Sequence, residues 1–494
     1  MSSTSPTDPP AKPPRLRRYV VRALFAVACL ATLIVAFFIE EKIRGRAAWR
    51  GYETEAKARG VKLDFADYLP PQIPDAENFA SIPLFDEAFR ASDANQSIQT
   101  FAKFEPYYYQ RLPKSNDPVK QERIDLATRQ KFFVEAKLLP AAGDNAAADV
   151  LKALDSFAAQ LAQLREAGTR PHCHFPIHWE KGYDAMLPHT QILHTSATFF
   201  ALSLSAHLAL GDSAAAYADF QDGLRLTTAT FEEPGLITSL VRLGIATAME
   251  NAVWGGLAGR QWAEPELQKI ETDLAALDWF KDYRFAMCSE RGLMNLVTDM
   301  LIAHPGSLHV LGRDNFPEKY EFRSYPAGWL YRDKVRANHF FDEMLTRIEP
   351  EQRSYFGARS FPSSPGDSMT LPKRLCDVLF PLLSPVNVAA LKDVEKRYIQ
   401  AATVTDLARL ACALERCRLA RGAFPQALSE LTPDFLASLP AEIVNGEPYR
   451  YRRTGDGRFV LYSVGPDLRD DGGVIDPRHR FSKQHDWVWC YPAP

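Results

Sequence analysis

The run ALFAVACLATLIVAFFI, Ala23 to Ile39, is 17 residues without a charge. It constrains the fold more than any other feature, because a helix of that length and polarity has few places to go. At 1.5 Å per residue it is about 25 Å long. Counted from Tyr19 it is 21 residues, or about 31 Å, which crosses a bilayer core if Arg22 snorkels to the headgroups. A cleavable signal peptide has a shorter apolar region and a small-x-small exit; this run exits through FFIEEKIRGR. The sequence therefore predicts an uncleaved transmembrane helix over residues 19–39, after a disordered, proline-rich head over residues 1–18. The bland alternative is a buried helix of a soluble protein. Lys12, Arg15, Arg17, Arg18 and Arg22 precede the span, and Lys42, Arg44 and Arg46 follow it. The positive-inside rule then puts the head in the cytoplasm and residues 40–494 outside, with the lipid bilayer as the partner of residues 19–39.

The remainder is long enough for more than one core, since the chain has 494 residues. Its net charge of -3 offers no general attraction to nucleic acid. Seven cysteines are an odd count without C-x-x-C spacing, so no disulfide framework can be read. Residues 41–60 read as a polar helix, and LPPQIPDAENFASIPLF (69–85) as an extended, proline-marked crossing. Val150, Leu154, Phe157, Leu161 and Leu164 recur at three and four, one apolar stripe that Gly168 stops. QILHTSATFFALSLSAHLALGDSAAAYADFQDGLRLTTATF reads as two helices joined at Gly211-Asp212. Its Ala216-x-x-x-Phe220 spacing resembles the second helix of a tetratricopeptide repeat, although no copy follows about 34 residues on. Further helices are predicted at about 235–257, 264–277, 283–303 and 328–348, and a long one from about 386 to Gly422. After it the period changes: YRYRR, the turn TGDG and RFVLYSV predict a β-hairpin over 449–464. The tail DWVWCYP is expected to pack on that small sheet. The fold class is thus mainly α: a single transmembrane helix, an irregular all-α ectodomain over 40–370 with a weakly repeat-like αα-hairpin, and a small α+β module over 371–494.

The stretch ALERCRLARGAFPQALSEL followed by GEPYRYRRTGDGRFVLYSVGPDLRDDGG carries a resemblance. A helix ends at a glycine, the chain passes a Phe424-Pro425 step, and a small sheet exits into a Gly-Asp loop. Over roughly residues 400–490 this is similar to the soluble domain of type II secretion major pseudopilins. The whole chain also resembles a group of membrane-anchored bacterial proteins with this ending, whose activity is unassigned. The likeness departs at the start: RRYVVRALFAVACL has no prepilin-peptidase site, and the apolar span lies more than 350 residues upstream. The resemblance therefore implies a reused module at the periplasmic end of an inner-membrane protein rather than a pilin.

Two groups of residues are candidates for chemistry. Calcium takes several oxygen ligands, and Asp467, Asp471, Asp476 and Asp486 could supply them, with Asp470 and glycine-rich backbone nearby. The resemblance puts Asp467 at the family's Gly-x-Asp position and Asp476 or Asp486 at the later acidic one. The competing reading is a solvated turn whose aspartates cap local backbone. An EF-hand is excluded, because Arg469 and Arg478 fall where carboxylates belong. The loop HCHFPIHW brings His172, Cys173, His174 and His178, with His189 and His194 downstream. These are zinc-ligand types without an H-E-x-x-H pattern, so loop and cap histidines compete with a metal-dependent hydrolase using residues 172–194. No nucleophile elbow, P-loop or dinucleotide fingerprint is present in the sequence. The expected function is a membrane-anchored binding or assembly scaffold of the bacterial envelope, with envelope proteins as partners and a link to a secretion or pilus-like system that the resemblance implies; the rival is the periplasmic hydrolase.

Overall fold

The apolar run does not end as a helix at Ile39 but continues as one helix into the body. In the computed structural model residues 15–94, 124–304, 327–349, 354–355, 384–474 and 486–489 are described. Most of the expected head (1–14) and Asp476 lie outside them. Helix α1, Arg15–Ala58, has 44 residues and is therefore about 66 Å long. Among the described residues three helices are long and apolar enough to cross a membrane: α1, α6 (Pro188–Ala209) and α8 (Leu236–Ala258). They differ in where the apolar surface goes. The apolar window of α1 is 0% buried, against 67% for α6 and 56% for α8, whose side chains belong to the protein's own core.

Past residue 40, α1 becomes one-sided, burying Glu41, Gly45, Tyr52 and Ala56. A proline-marked crossing follows, as expected, with 3-10 turns at Phe65–Tyr68 and Asp75–Glu77. The small helices α2 (Pro83–Asp93), α3 (Leu126–Glu135), α4 (Ala146–Leu154) and α5 (Ala158–Ala167) come next. The stripe from Val150 to Leu164 is buried throughout, but the helix carrying it is interrupted by a 3-10 turn at Asp155–Phe157. Asn145 caps α4 by accepting from the amides of Ala147 and Ala148. The αα-hairpin is present: α6 and α7 (Ser213–Ala229) meet at Gly211, and the Asp212 side chain accepts from the Ala215 amide at 2.9 Å.

Helix α8 packs between this hairpin and the C-terminal helix, and is followed by α9 (Glu264–Ala275), α10 (Trp279–Ala303) and α11 (Ala327–Thr346). A two-residue pair, β1 (Ile348–Glu349) with β2 (Ser354–Tyr355), follows α11. Helix α12, Ser384–Arg421, lies against α8, α9 and α10. Leu407, Leu410, Ala411, Leu414 and Cys417 are all buried, as their shared face predicts, and Gly422 ends the helix at φ 77°. Strands β3 (Arg450–Arg453) and β4 (Phe459–Ser463) form the expected hairpin, with Tyr451 opposite Leu461. The aromatic tail does more than cover it. Trp487–Trp489 is the third strand, β5, antiparallel to β4 with Trp489 opposite Leu461. One contiguous buried cluster runs from Phe79 through α12 to Trp489, so sheet and helices share a core.

Helix α11 runs parallel to the second half of α1. Their contacts advance together: Phe37 and Glu41 meet Trp329, Trp49 meets Lys334, and Tyr52 meets His339 and Asp342. Gly45 and Gly328 make the close approach possible. A Cβ on either would come closer to the other helix's backbone than the 3.0 Å that real Cβ atoms respect.

Candidate binding cleft and the predicted site residues

A cleft of about 680 Å³ opens beside the start of α10. Its walls come from three distant parts of the chain. The first is the crossing from Asp67 to Glu77, the second His172 with Phe231 and Glu232, and the third the start of α10 from Asp278 to Phe285. Prolines 70, 71 and 74 hold the first wall extended. Tyr68 lies edge-on to Phe285 at 6.2 Å and donates to the Lys62 carbonyl at 2.9 Å.

The two loops forming the mouth are clipped together by side chains. Asn78 Nδ2 donates to the His174 carbonyl at 3.0 Å, while its Oδ1 accepts from the His174 amide at 2.8 Å. Arg170 Nη1 donates to the carbonyls of Asp75, Asn78 and Ser81 at 3.3, 3.0 and 2.8 Å. These contacts satisfy backbone groups that a crossing without regular structure leaves open. They also fix His172, whose Nδ1 lies 3.2 Å from Glu232 Oε2.

A buried ion pair forms the deep end. Arg242 on α8 is fully buried, and its Nη2 donates to Asp282 Oδ1 at 2.7 Å. Tyr398 on α12 donates to Asp282 Oδ2 at 2.7 Å. Burial first, and the Asp282 charge second, push the Tyr398 phenol well above its ordinary range. Arg242 also donates to the Thr230 carbonyl at 2.7 Å. Both oxygens of Asp282 are thus committed to the protein, which makes this carboxylate a brace for α8, α10 and α12. The exposed carboxylates of the cleft are Asp67, Glu77, Glu232 and Asp278, with the exposed Lys281 as the one lysine among its lining residues, set beside Tyr68, Phe285 and the prolines.

A related brace lies at the start of α8. Glu290 accepts from Tyr183 Oη at 2.9 Å and from the Leu236 amide at 3.2 Å, and Ser289 accepts from the Gly235 amide at 3.0 Å. These bonds satisfy amides that a helix start leaves unpaired. Burial raises the Glu290 carboxyl above its usual value. None of this was readable in the sequence, because the partners of Arg242, Asp282 and Glu290 lie far along the chain.

The histidines of 172–194 are given separate partners. His178 lies 2.8 Å from Glu180, and buried His189 Nε2 lies 2.8 Å from Glu233. The His189 ring stacks on Phe175 at 4.0 Å. His194, on α6, is shifted down by burial, and Cys173 is buried, with its thiol pushed well up for the same reason.

The aspartates of the C-terminal loop divide in a similar way. Asp467 accepts from the Arg469 amide at 3.1 Å and lines a second cavity of about 740 Å³ between α8, α12 and the sheet. Asp470 accepts from the Gly472 amide and from Tyr462 Oη, each at 2.9 Å; the amide bond is the main reason its carboxyl is held below the usual range. Asp486 is buried, and its Oδ2 accepts from the Gly473 amide at 2.7 Å, while Oδ1 has no partner within hydrogen-bond geometry among the described residues, although the Asp471 amide also acts on the carboxyl. Burial, with smaller contributions from the Asp470 and Asp471 charges, raises the Asp486 carboxyl. Among the described residues no three His, Cys, Asp or Glu side chains are grouped to hold a metal ion. Comparison of the chain with models of protein families, with curated proteins and with solved structures gave no match.

Proposed function

We propose that this protein is a single-pass, membrane-tethered binding scaffold whose helical body faces the outside of a bacterial inner membrane. The observation carrying this reading is α1: apolar and wholly exposed from Tyr19 to Ile39, then clamped to α11 from Glu41 onward. An exposed apolar helix of that length is stable in lipid and costly in water. The basic residues before the span favour a cytoplasmic head. Helix pairs such as α6–α7, which resemble a tetratricopeptide unit, commonly build partner-binding surfaces. In this body the partner site is the cleft, where Asp67, Glu77 and Glu232 beside aromatic and proline surface suit a basic peptide segment of an envelope protein. The pseudopilin-like ending extends the reading to assembly at a secretion or pilus-like system.

Alkaline carbonate extraction tests the tether. The full chain should stay with the membrane pellet and its body should be digested by protease added to spheroplasts. A chain that washes off, or resists the protease, removes the basis of the reading. Cross-linking from the cleft mouth should then recover an envelope protein through a Lys- or Arg-rich segment, and loss of that product on Glu77→Lys places it.

A second reading concerns the C-terminal loop, where calcium suits the buried, half-satisfied Asp486 beside Asp470 and Asp471. Backbone carbonyls of the glycine-rich loop would complete its shell. Calorimetry of the full chain should show calcium binding that Asp486→Asn abolishes; no heat at millimolar calcium ends this reading.

A further inference from the structure

We infer that the first two turns of α11 and the segment of α1 beside them form an anionic-phospholipid contact surface at the end of the body nearest the span. The inference rests on α1 being the membrane tether. Its argument begins with depth. The headgroup layer adds about 5–8 Å to each side of the hydrocarbon, so a helix leaving the core at Ile39 crosses that layer between roughly residues 40 and 45. Helix α11 enters at the same level. Trp329 lies edge-on to Phe37 at 6.5 Å and its Nε1 donates to Glu41 at 3.1 Å, while Gly328 touches the Glu41 backbone. The two helices are parallel there, so Gly328 to Arg332 lie beside Glu41 to Gly45, inside the headgroup layer. An indole with its ring toward hydrocarbon and its N–H on a polar group is suited to that boundary.

Charge then identifies the lipid. Each carboxylate of this band is already paired: Glu40 with Arg44 at 3.4 Å, Glu41 with Arg332 at 3.1 Å, and Asp333 with Arg336 at 3.7 Å. Lys42, Arg46 and Arg50 are exposed and make no ion pair among the described residues. Their four-residue spacing sets them along one stripe of α1. These three cations, Lys42 at the phosphate level and Arg46 and Arg50 on the turns just beyond it, have no ion pair among the described residues, so they attract anionic headgroups and gain little from zwitterionic ones.

The full chain reconstituted in nanodiscs tests this with three diazirine lipids. A probe on the acyl chain should label residues 19–39 and thereby verify the tether; if it does not, tether and inference fall together. A phosphatidylglycerol headgroup probe should label peptides containing residues 40–50 and 327–336 well above the yield of a phosphatidylcholine headgroup probe. The Lys42→Gln, Arg46→Gln, Arg50→Gln triple variant should lose on the order of tenfold of the phosphatidylglycerol labelling, with acyl-chain labelling unchanged. Equal yields from the two headgroups, or headgroup labelling of 40–50 without 327–336, overturn the inference and leave the tether standing.

Discussion

At the scale of single residues, the interior is braced by charges that periodicity would place in solvent. Removing one member of a buried pair leaves the other unpaired, at a cost of about 3–5 kcal/mol. Arg242→Met should therefore lower the unfolding free energy in urea by that much, and adding Asp282→Leu should recover most of it; a fully additive double variant would contradict the brace. His207 gives a pH signature. Its Nδ1 lies 2.8 Å from Asp219, and that hydrogen bond is the first cause of its raised value. A raised folded value means that its contribution is full below about pH 6.5, the unfolded value. The contribution is lost as pH rises through the folded value. The stability gap between the native chain and His207→Gln should thus be widest in acid and close in alkali, read from urea midpoints in detergent. A gap independent of pH would rule this out. The His207–Asp219 and Arg242–Asp282 partners are 12 and 40 positions apart, and nothing in local spacing announces them.

At the scale of elements, the spacing of apolar residues was a good guide to helices and a poor one to their junctions. The expected helices near 235–257, 264–277 and 328–348 are α8, α9 and α11 within a few residues. The Val150–Leu164 stripe was legible, but the 3-10 break at Asp155–Phe157 was not, because the buried face continues across it. The parallel α1–α11 crossing was hidden as well, since a glycine in a helix looks like a weakness until its partner is known. Gly328→Val should disrupt that crossing, costing about 1–3 kcal/mol or more and exposing the Arg46–Arg50 stretch to trypsin. Gly51, on α1 with no atom near its missing Cβ, is the control: Gly51→Ala should stabilise by about 0.5–1 kcal/mol. If both glycines respond alike, the crossing does not hold the body to the span.

For the whole molecule, the continuous core predicts that the terminal sheet is not an appendage. Trp489 is buried on β5, and the cluster it joins reaches α12 and, through it, α8 and α10. Trp489→Ala should cost about 3–5 kcal/mol and shift helix loss and tryptophan fluorescence together as one transition; a helical body unfolding at its old midpoint would mean that the core is not shared. The sequence by itself determined the apolar span, the helical segments and the hairpin, because each is written in the spacing of neighbours along the chain. Tertiary structure alone decided that α6 and α8 bury their apolar faces while α1 exposes its own. It also made a strand of Trp487–Trp489 and assembled one cleft from Asp67, His172, Glu232 and Asp282. The reason is physical: periodicity records which side of an element avoids water, whereas the partner that covers it, and the charges trapped between them, are fixed by contacts made far along the chain.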